Sequence, residues 1–432
     1  MKMTTENRGI TKLSVAGFKS IAEETMLDIK PLTILAGANS SGKSSFMQPF
    51  LLMKQTSHCD YDPGPFLLNG PNVQFTAIEQ FFSNIGGHKS DKLVLGVYEE
   101  PHNYCVTTFG HDTKNRKIVV EQAEFLARPA FQELTNRVVL SNEMSQDEMT
   151  RLGNEYIPSV AGNFKGIESP KVSSNKFSLD LQVPHTLNVL SSHTSSFITN
   201  MIHVPGLRGN PERVYQTTGV GSRFPGTFEI YTASIIAKWG DQGAEELQTL
   251  CDHLSLLGLT SRIATRRLND AQIEVMVGRL PKNGRSEADM VSVADVGFGV
   301  SQTLPVLVAL LVAEPGQLVY LEQPEIHLHP RAQRALAGII AEAARRGVKV
   351  VVETHSSMLL LAIQTLVAQK NISPEIVALH WFQRDKTGMT EVKTAELDDA
   401  GRFGDWPVDF ADVELEAEGD FIDAVAAARR GQ

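Results

Sequence analysis

The eight residues Gly37-Ala38-Asn39-Ser40-Ser41-Gly42-Lys43-Ser44 constrain this chain more than any others. They fit the pattern Gly-x4-Gly-Lys-[Ser/Thr], with the apolar run Leu32-Thr33-Ile34-Leu35-Ala36 before them and a helical pattern over 44–56 after them. Glycines at both ends let the backbone curl so that successive N–H groups face phosphate oxygens, and the helix N-terminus adds a favourable dipole. Lys43 then reaches the β and γ oxygens, and Ser44 is placed to ligate magnesium. Asn39, Ser40 and Ser45 complete the candidate phosphate-binding set with Gly37 and Gly42. A plain glycine turn opening a helix is the bland alternative, and the strand-loop-helix context weighs against it.

A loop of this kind belongs at the edge of an α/β sheet, and residues 301–380 supply the alternation. A helix is expected over 302–313, a strand over 318–322, a helix over 330–346, a strand over 349–354, a helix from 357 and a strand over 376–382. Residues 10–36 read as short strands, tight enough in spacing to be antiparallel neighbours. LVLGVYEE at 93–100 and KIVVEQAEF at 117–125 also read as strands, with turn-rich 60–90 as loop. From 126 the texture changes: AFQELTNRVVL and SQDEMTRLGNEY look helical, and 160–196 is rich in Ser, Asn and Gly. Helices dominate 226–259, and 272–278 reads as a strand. We therefore expect three parts. Residues 1–125 carry the phosphate loop, 126–265 a mixed and largely helical insertion, and 266–432 the second half of the head with an acidic tail.

Further motifs lie in that second half. Leu318-Val319-Tyr320-Leu321-Glu322 is an apolar strand ending in a carboxylate, which the sheet would deliver to its ligand-binding edge. Glu322 is thus the magnesium-side candidate. Val296-Gly297-Phe298-Gly299-Val300-Ser301-Gln302 puts glycines and a Ser at the start of an apolar helix, an end suited to anions. Glu353-Thr354-His355-Ser356 follows the strand Lys349-Val350-Val351-Val352; a lone His there is usually structural, but at the edge of the same sheet His355 could instead reach a γ-phosphate.

In this order, GANSSGKSS, VGFGVSQ, YLEQPEIHLHP and ETHS, the chain resembles the ABC-class AAA ATPases of prokaryotes. That branch holds OLD-family nucleases, Septu-type defence ATPases and RecF- or SMC-like heads. HVPGLRGNPERVY at 203–215 and GRFGDWPVDFAD at 401–412 are similar to stretches of a predicted-ATPase subgroup in it, whereas 90–200 match nothing nameable. The resemblance implies an ABC-type P-loop head with an N-terminal antiparallel β subdomain, and ATP with Mg2+ as ligands. It makes Gly299, Ser301 and Gln302 a signature motif facing nucleotide on another subunit, Glu322 the Walker B acid and His355 the switch histidine. A homodimer with ATP sandwiched between protomers follows, with any higher assembly left open. Gln55 and Gln74 are both candidates for the glutamine that senses magnesium.

One position departs from the pattern. Relatives usually carry a Glu after Glu322 as general base, and here it is Gln323. An amide can orient water but cannot accept its proton. Either Glu325 supplies the base or hydrolysis is slow, and slow hydrolysis is the preferred reading.

The leading function from the resemblance is an ATPase regulating a separately encoded effector, a nuclease of anti-phage defence being one candidate. The alternatives are a RecF- or SMC-like DNA-binding repair ATPase and a switch that barely hydrolyses ATP. Arg262, Arg266 and Arg267, with Lys12 and Lys19, are the residues that would line a DNA groove. The net charge of −10 is poor evidence against one, because eleven of the 50 acidic side chains lie between Glu396 and Asp423. His327 and His329 read as a structural turn, not a metal pair, and no Toprim nuclease domain is expected. Three dispersed cysteines give neither a disulfide framework nor a zinc ribbon, which suits a reducing cytosol. Val296 to Ala313 carries no charge, but its solidly apolar part is too short to span a bilayer. No membrane partner is expected, and the expected location is cytoplasmic.

Overall fold

A computed structural model describes residues 9–61, 63–99, 103–127, 136–141, 144, 145, 148, 192–279 and 289–404. The chain begins with β1 (Lys12–Ala16), β2 (Thr25–Asp28), β3 (Leu32–Gly37) and α1 (Lys43–Ser57). A small hairpin, β4 (Asn84–Ile85) and β5 (His88–Lys89), precedes β6 (Lys92–Glu99), β7 (Asn103–Asp112), β8 (Lys117–Ala127) and β9 (Asn136–Ser141). Next come α2 (Ser192–Thr199), β10 (Ile202–Val204), β11 (Tyr215–Gln216), α3 (Thr232–Gln242) and α4 (Glu245–Leu256). After them are β12 (Ile263–Asn269), β13 (Gln272–Gly278), β14 (Met290–Ser292) and α5 (Phe298–Val312). The last elements are β15 (Leu318–Glu322), α6 (Pro330–Arg345), β16 (Lys349–Glu353), α7 (Ser357–Ala368), β17 (Val377–Arg384) and β18 (Thr390–Ala395).

The strands form two six-stranded sheets. One is antiparallel, in the order β2-β1-β6-β7-β8-β9; the other runs β10-β15-β16-β3-β17-β18 and is parallel except for its last pair. A smaller sheet, β11-β13-β12 with β14 on β13, stands apart. Every residue of β3 and β16 is buried, as expected for strands covered on both faces, and this is why they read as nearly unbroken apolar runs. Alternation sends Ile34, Val350, Val352, Val319 and Leu321 into one core with α3 to α7. It sends Leu35, Val351 and Tyr320 into a second core shared with α1 and the antiparallel sheet. Each aliphatic side chain so buried contributes about 1.5–3 kcal/mol. The loop after β3 is therefore anchored between two cores.

The apolar stretch at the start of the second half is a helix buried on nearly all sides: Val300, Thr303, Leu304, Val306, Leu307, Val308 and Leu310 of α5 are inside. Among the described residues, no helix is long and apolar enough to cross a membrane. One local reading needs correction. AFQELTNRVVL was expected to be helical, yet its second half lies in β9, where Val138 pairs with Phe125 and Leu140 with Ala123. Helical spacing gave way to the free edge of β8, which the Val-Val-Leu run can extend while burying Leu140. Strand β10, also within 126–265, forms the edge of the parallel sheet beside β15. Residues 149–191 and 405–432, which hold most of the other insertion readings and the acidic tail, lie outside the described residues.

Lys54 on α1 is fully buried, and its Nζ donates to the carbonyls of Phe224 and Gly226 at 2.7 and 2.8 Å. Burial lowers its pKa from 10.5 to about 7. The folded chain thus holds fewer protons than the unfolded chain between pH 7 and 10.5, so Lys54 makes stability rise with pH there. Below pH 7 both states are protonated and the contribution is flat. Urea denaturation at pH 7, 8 and 9 should show wild type gaining on Lys54→Met as pH rises. A constant difference would rule the linkage out.

Candidate functional site

Strand β3 ends in the phosphate loop, and the loop's shape depends on its two glycines. Gly37 has φ +136° and Gly42 φ +113°; a Cβ would stand 2.1 Å from the Phe382 carbonyl oxygen at the first and 2.3 Å from Thr390 Oγ1 at the second. Any side chain there collides with the β17–β18 hairpin, which cups the loop from outside. Thr390 Oγ1 donates to the Ser41 carbonyl at 2.9 Å, and Arg384 Nε donates to the Ser40 carbonyl at 2.7 Å. Lys43 folds back onto the Gly37 and Ala38 carbonyls at 3.0 and 2.8 Å. Burial lowers its pKa, and Glu353 opposes that shift.

A cavity of about 480 Å3 opens over the loop. Residues 39–45 line it from below, and Gln323, Glu353, His355 and Arg384 from the sides. The predicted set Asn39, Ser40, Gly42, Lys43, Ser44, Ser45, Gln323 and His355 thus converges on one space. Burial lowers the pKa of His355, reinforced by Lys43, so its imidazole is neutral at pH 7.

The carboxylates sort differently from expectation. Glu353, at the tip of β16, accepts from Ser44 Oγ at 2.8 Å and from Tyr320 Oη at 2.7 Å. It is the acid in contact with the loop's hydroxyl, because β16 lies between β15 and β3 in the sheet. Glu322 sits beside it in register on β15 but outside the lining of the cavity. Its Oε1 pairs with His203 Nε2 at 2.9 Å and its Oε2 accepts from the Gly206 N–H at 3.1 Å. Burial pushes Glu322 toward protonation, but His203, the Gly206 N–H and Arg208 outweigh it and its pKa is lowered. For Glu353, burial and the Glu322 charge prevail, and its pKa is raised. Ser44 and Glu353 offer only oxygen donors, which fits a hard cation such as Mg2+, whereas both Glu322 oxygens are engaged by His203 and Gly206.

Glu325 is also outside the cavity lining. Its Oε1 accepts from Thr354 Oγ1 at 2.6 Å and from the His355 N–H at 3.1 Å, so it fixes the His355 turn. Gln323 reaches the cavity with φ +43°, held by its N–H on the Glu353 carbonyl at 2.7 Å. Gln55 spends its oxygen on the Asn72 and Val73 N–H groups and its amide on the Leu67 and Val73 carbonyls. Gln74 is exposed, and neither glutamine lines the cavity.

Gly299, Ser301 and Gln302 open α5 away from that cavity and contribute nothing to its lining. Their position is set by Arg208, a buried residue that motif reading missed. Its guanidinium donates to the carbonyls of Gln302 at 3.1 Å, Glu322 at 2.8 Å and Gln323 at 3.0 Å. Gln302 Nε2 in turn donates to the Gly209 carbonyl at 2.6 Å. One side chain therefore ties the helix start to the strand that carries Glu322 and Gln323. The sequence signal was the stretch HVPGLRG, quoted for its resemblance without a role for Arg208.

Three of the five basic residues considered for DNA have side-chain partners. Arg266 pairs with Glu274 and Arg267 with Asp241, while Lys19 donates to Gln48 Oε1 at 2.5 Å and lies over the Phe75 ring. His329 caps α6 by accepting from the Arg331 N–H at 3.3 Å.

A phosphate loop at the carboxyl end of a central parallel strand, with acids from the next two strands and a histidine beyond, defines a P-loop ATPase head of the ABC and AAA kind. A family profile described as "AAA domain, putative AbiEii toxin, Type IV TA system" matches residues 32–362, and the chain belongs to that family. No curated protein matches the chain. Solved structures that match include an SMC head bound to the C-winged helix domain of ScpA. It is 12% identical, covers 91% of this chain and 99% of that one, and has a TM-score of 0.46. The SMC head domain from Thermotoga maritima is 10% identical over 90% of this chain and 100% of its own, with a TM-score of 0.37. An SMC head with an extended coiled coil, bound to the C-terminal domain of ScpA derived from Pyrococcus furiosus, is 10% identical. It covers 97% of this chain and 99% of that one, with a TM-score of 0.43.

Proposed function

We propose that this chain binds ATP with Mg2+, hydrolyses it slowly, and works as a head-to-tail homodimer that controls a separately encoded effector. The observation that carries the ATP reading is the convergence of Lys43, Ser44, Glu353, Gln323 and His355 on the cavity over the phosphate loop. In it, the loop N–H groups and Lys43 bind the phosphates, with Lys43 leaving the Gly37 and Ala38 carbonyls to do so. Ser44 and Glu353 would hold Mg2+, with Glu322 joining them on release from His203 or the Gly206 N–H, and the ion would supply positive charge to offset that developing on the phosphate oxygens. His355 faces the γ-phosphate as a neutral donor. Gln323 orients the attacking water without taking its proton, and turnover is slow for that reason.

The dimer reading is supported by the lining of the phosphate cavity, to which the start of α5 contributes no residue. Gly299, Ser301 and Gln302 present a helix start that no phosphate in the same chain would meet, so a second copy would bring its own. The effector, with a nuclease as its class, rests on the resemblance and is tested by co-purification with neighbouring gene products in the presence and absence of ATP. Lys43→Ala should weaken ATP binding by about 10- to 100-fold, the loss of one charge-assisted contact. Isothermal titration calorimetry with Mg2+ and ATP measures it directly. Undiminished affinity would remove the phosphate loop from the account.

A further inference from the structure

A second cavity, of about 400 Å3, lies between the 208–218 segment, α3 and the start of α5, where Ser301 and Gln302 also line it. It shares no lining residue with the phosphate cavity. Three of its lining residues carry buried polar atoms with no hydrogen-bond partner among the described residues: Arg208 Nε, Glu229 Oε2 and Thr232 Oγ1. Arg208 and Thr232 are each only 7% exposed. Leaving such atoms unpaired is unfavourable, and three around one space point to a ligand that would pair them.

We propose that this cavity binds an uncharged nucleobase or nucleoside. The orphaned atoms specify the hydrogen bonding: an N–H that needs an acceptor, a carboxylate oxygen that needs a donor, and a hydroxyl that can serve either way. A molecule with donor and acceptor side by side on a flat ring satisfies them together. The cavity holds charges of both signs, Arg208 against Glu229 and Glu212, which suits a neutral ligand carrying both donors and acceptors. Tyr215, Ile236, Leu304 and Pro305 supply apolar wall for a ring, and the volume falls within the range of small-molecule sites. The remaining Arg208 nitrogens hold the Gln302, Glu322 and Gln323 carbonyls. An occupant bonded to Nε therefore bears on the start of α5 and on the residue facing the attacking water. That regulatory consequence rests on the ATPase reading, whereas binding itself does not.

The test uses the full chain with Lys43→Ala to silence the phosphate loop, titrated calorimetrically with adenosine, guanosine, cytidine, uridine and their free bases. At least one is expected to bind with Kd below about 1 mM. Glu229→Gln replaces the free acceptor by an amide of the same shape and should weaken that binding about tenfold, with Thr232→Val as a second near-isosteric variant. In the wild-type chain the same ligand should change the rate of phosphate release. Absence of binding across the panel overturns the proposal and leaves water as the occupant. Binding that both substitutions leave unchanged overturns it too. Binding without any effect on turnover retains the site and removes its regulatory role.

Discussion

Gln323→Glu is expected to raise steady-state phosphate release by about 10²- to 10⁴-fold, the range contributed by a positioned general base. The side chain at 323 lines the cavity over the phosphate loop, and its backbone is clamped from two sides. Its N–H meets the Glu353 carbonyl and its own carbonyl accepts from Arg208. Glutamate has the same length and shape, so the exchange alters proton affinity and little else. The surroundings suit a base, because Glu322 and Glu353 stand at the adjacent strand tips and a third carboxylate beside them would hold its proton more tightly. Glu325→Gln serves as the companion measurement. Glu325 accepts from Thr354 and from the His355 N–H outside the cavity, so this change should leave phosphate release within a few-fold of wild type. If Gln323→Glu gave no acceleration while Glu325→Gln stopped turnover in a folded protein, Glu325 would be the base and the slow-hydrolysis reading would be wrong.

What sequence reading could and could not reach follows from how local each feature is. The phosphate loop, the strands on either side of it and the helices of 301–380 are encoded in contiguous patterns and fold where they were expected. Glu353 was within reach but unassigned. Lys349-Val350-Val351-Val352-Glu353 obeys the same rule, an apolar strand ending in a carboxylate, that nominated Glu322. Which of the two touches Ser44 depends on strand order, and that order places β16 next to β3 through contacts more than 300 residues apart in the chain. Gln55 illustrates the opposite limit. It stood as a magnesium-sensing candidate, yet all its hydrogen bonds go to the 67–73 loop, a pairing that no spacing rule announces. Arg266 and Arg267 were legible as basic residues, but their pairing with Glu274 on β13 and Asp241 on α3 was not. Arg384 has no motif at all; it enters the site because β17 runs parallel to β3 and ends beside the loop.

Arg208→Met is expected to destabilise the fold by about 3–5 kcal/mol, the cost of removing one partner from a buried charge network. Burial lowers the Arg208 pKa to about 10, with Glu325, Glu322 and Glu229 opposing, so the guanidinium stays charged at neutral pH. Removing it takes a donor from three carbonyls, of which Gln323 keeps only the Ile326 N–H at 3.2 Å, and removes a positive charge that stabilises the Glu322 and Glu325 carboxylates. Arg208→Lys separates charge from geometry. A single ammonium keeps the charge but cannot match a planar fork directed at the Gln302, Glu322 and Gln323 carbonyls together. The lysine variant should therefore recover part of the stability while still loosening the start of α5 from the tip of β15. Urea denaturation ranks the three proteins, and wild type, lysine and methionine should fall in that order. Phosphate release should fall further than stability alone explains in the lysine variant, because the backbone of Gln323 loses one of its three hydrogen bonds. A lysine variant equal to wild type in both measurements would show that charge alone matters at this position, and that the fork does not couple the helix start to the catalytic strand.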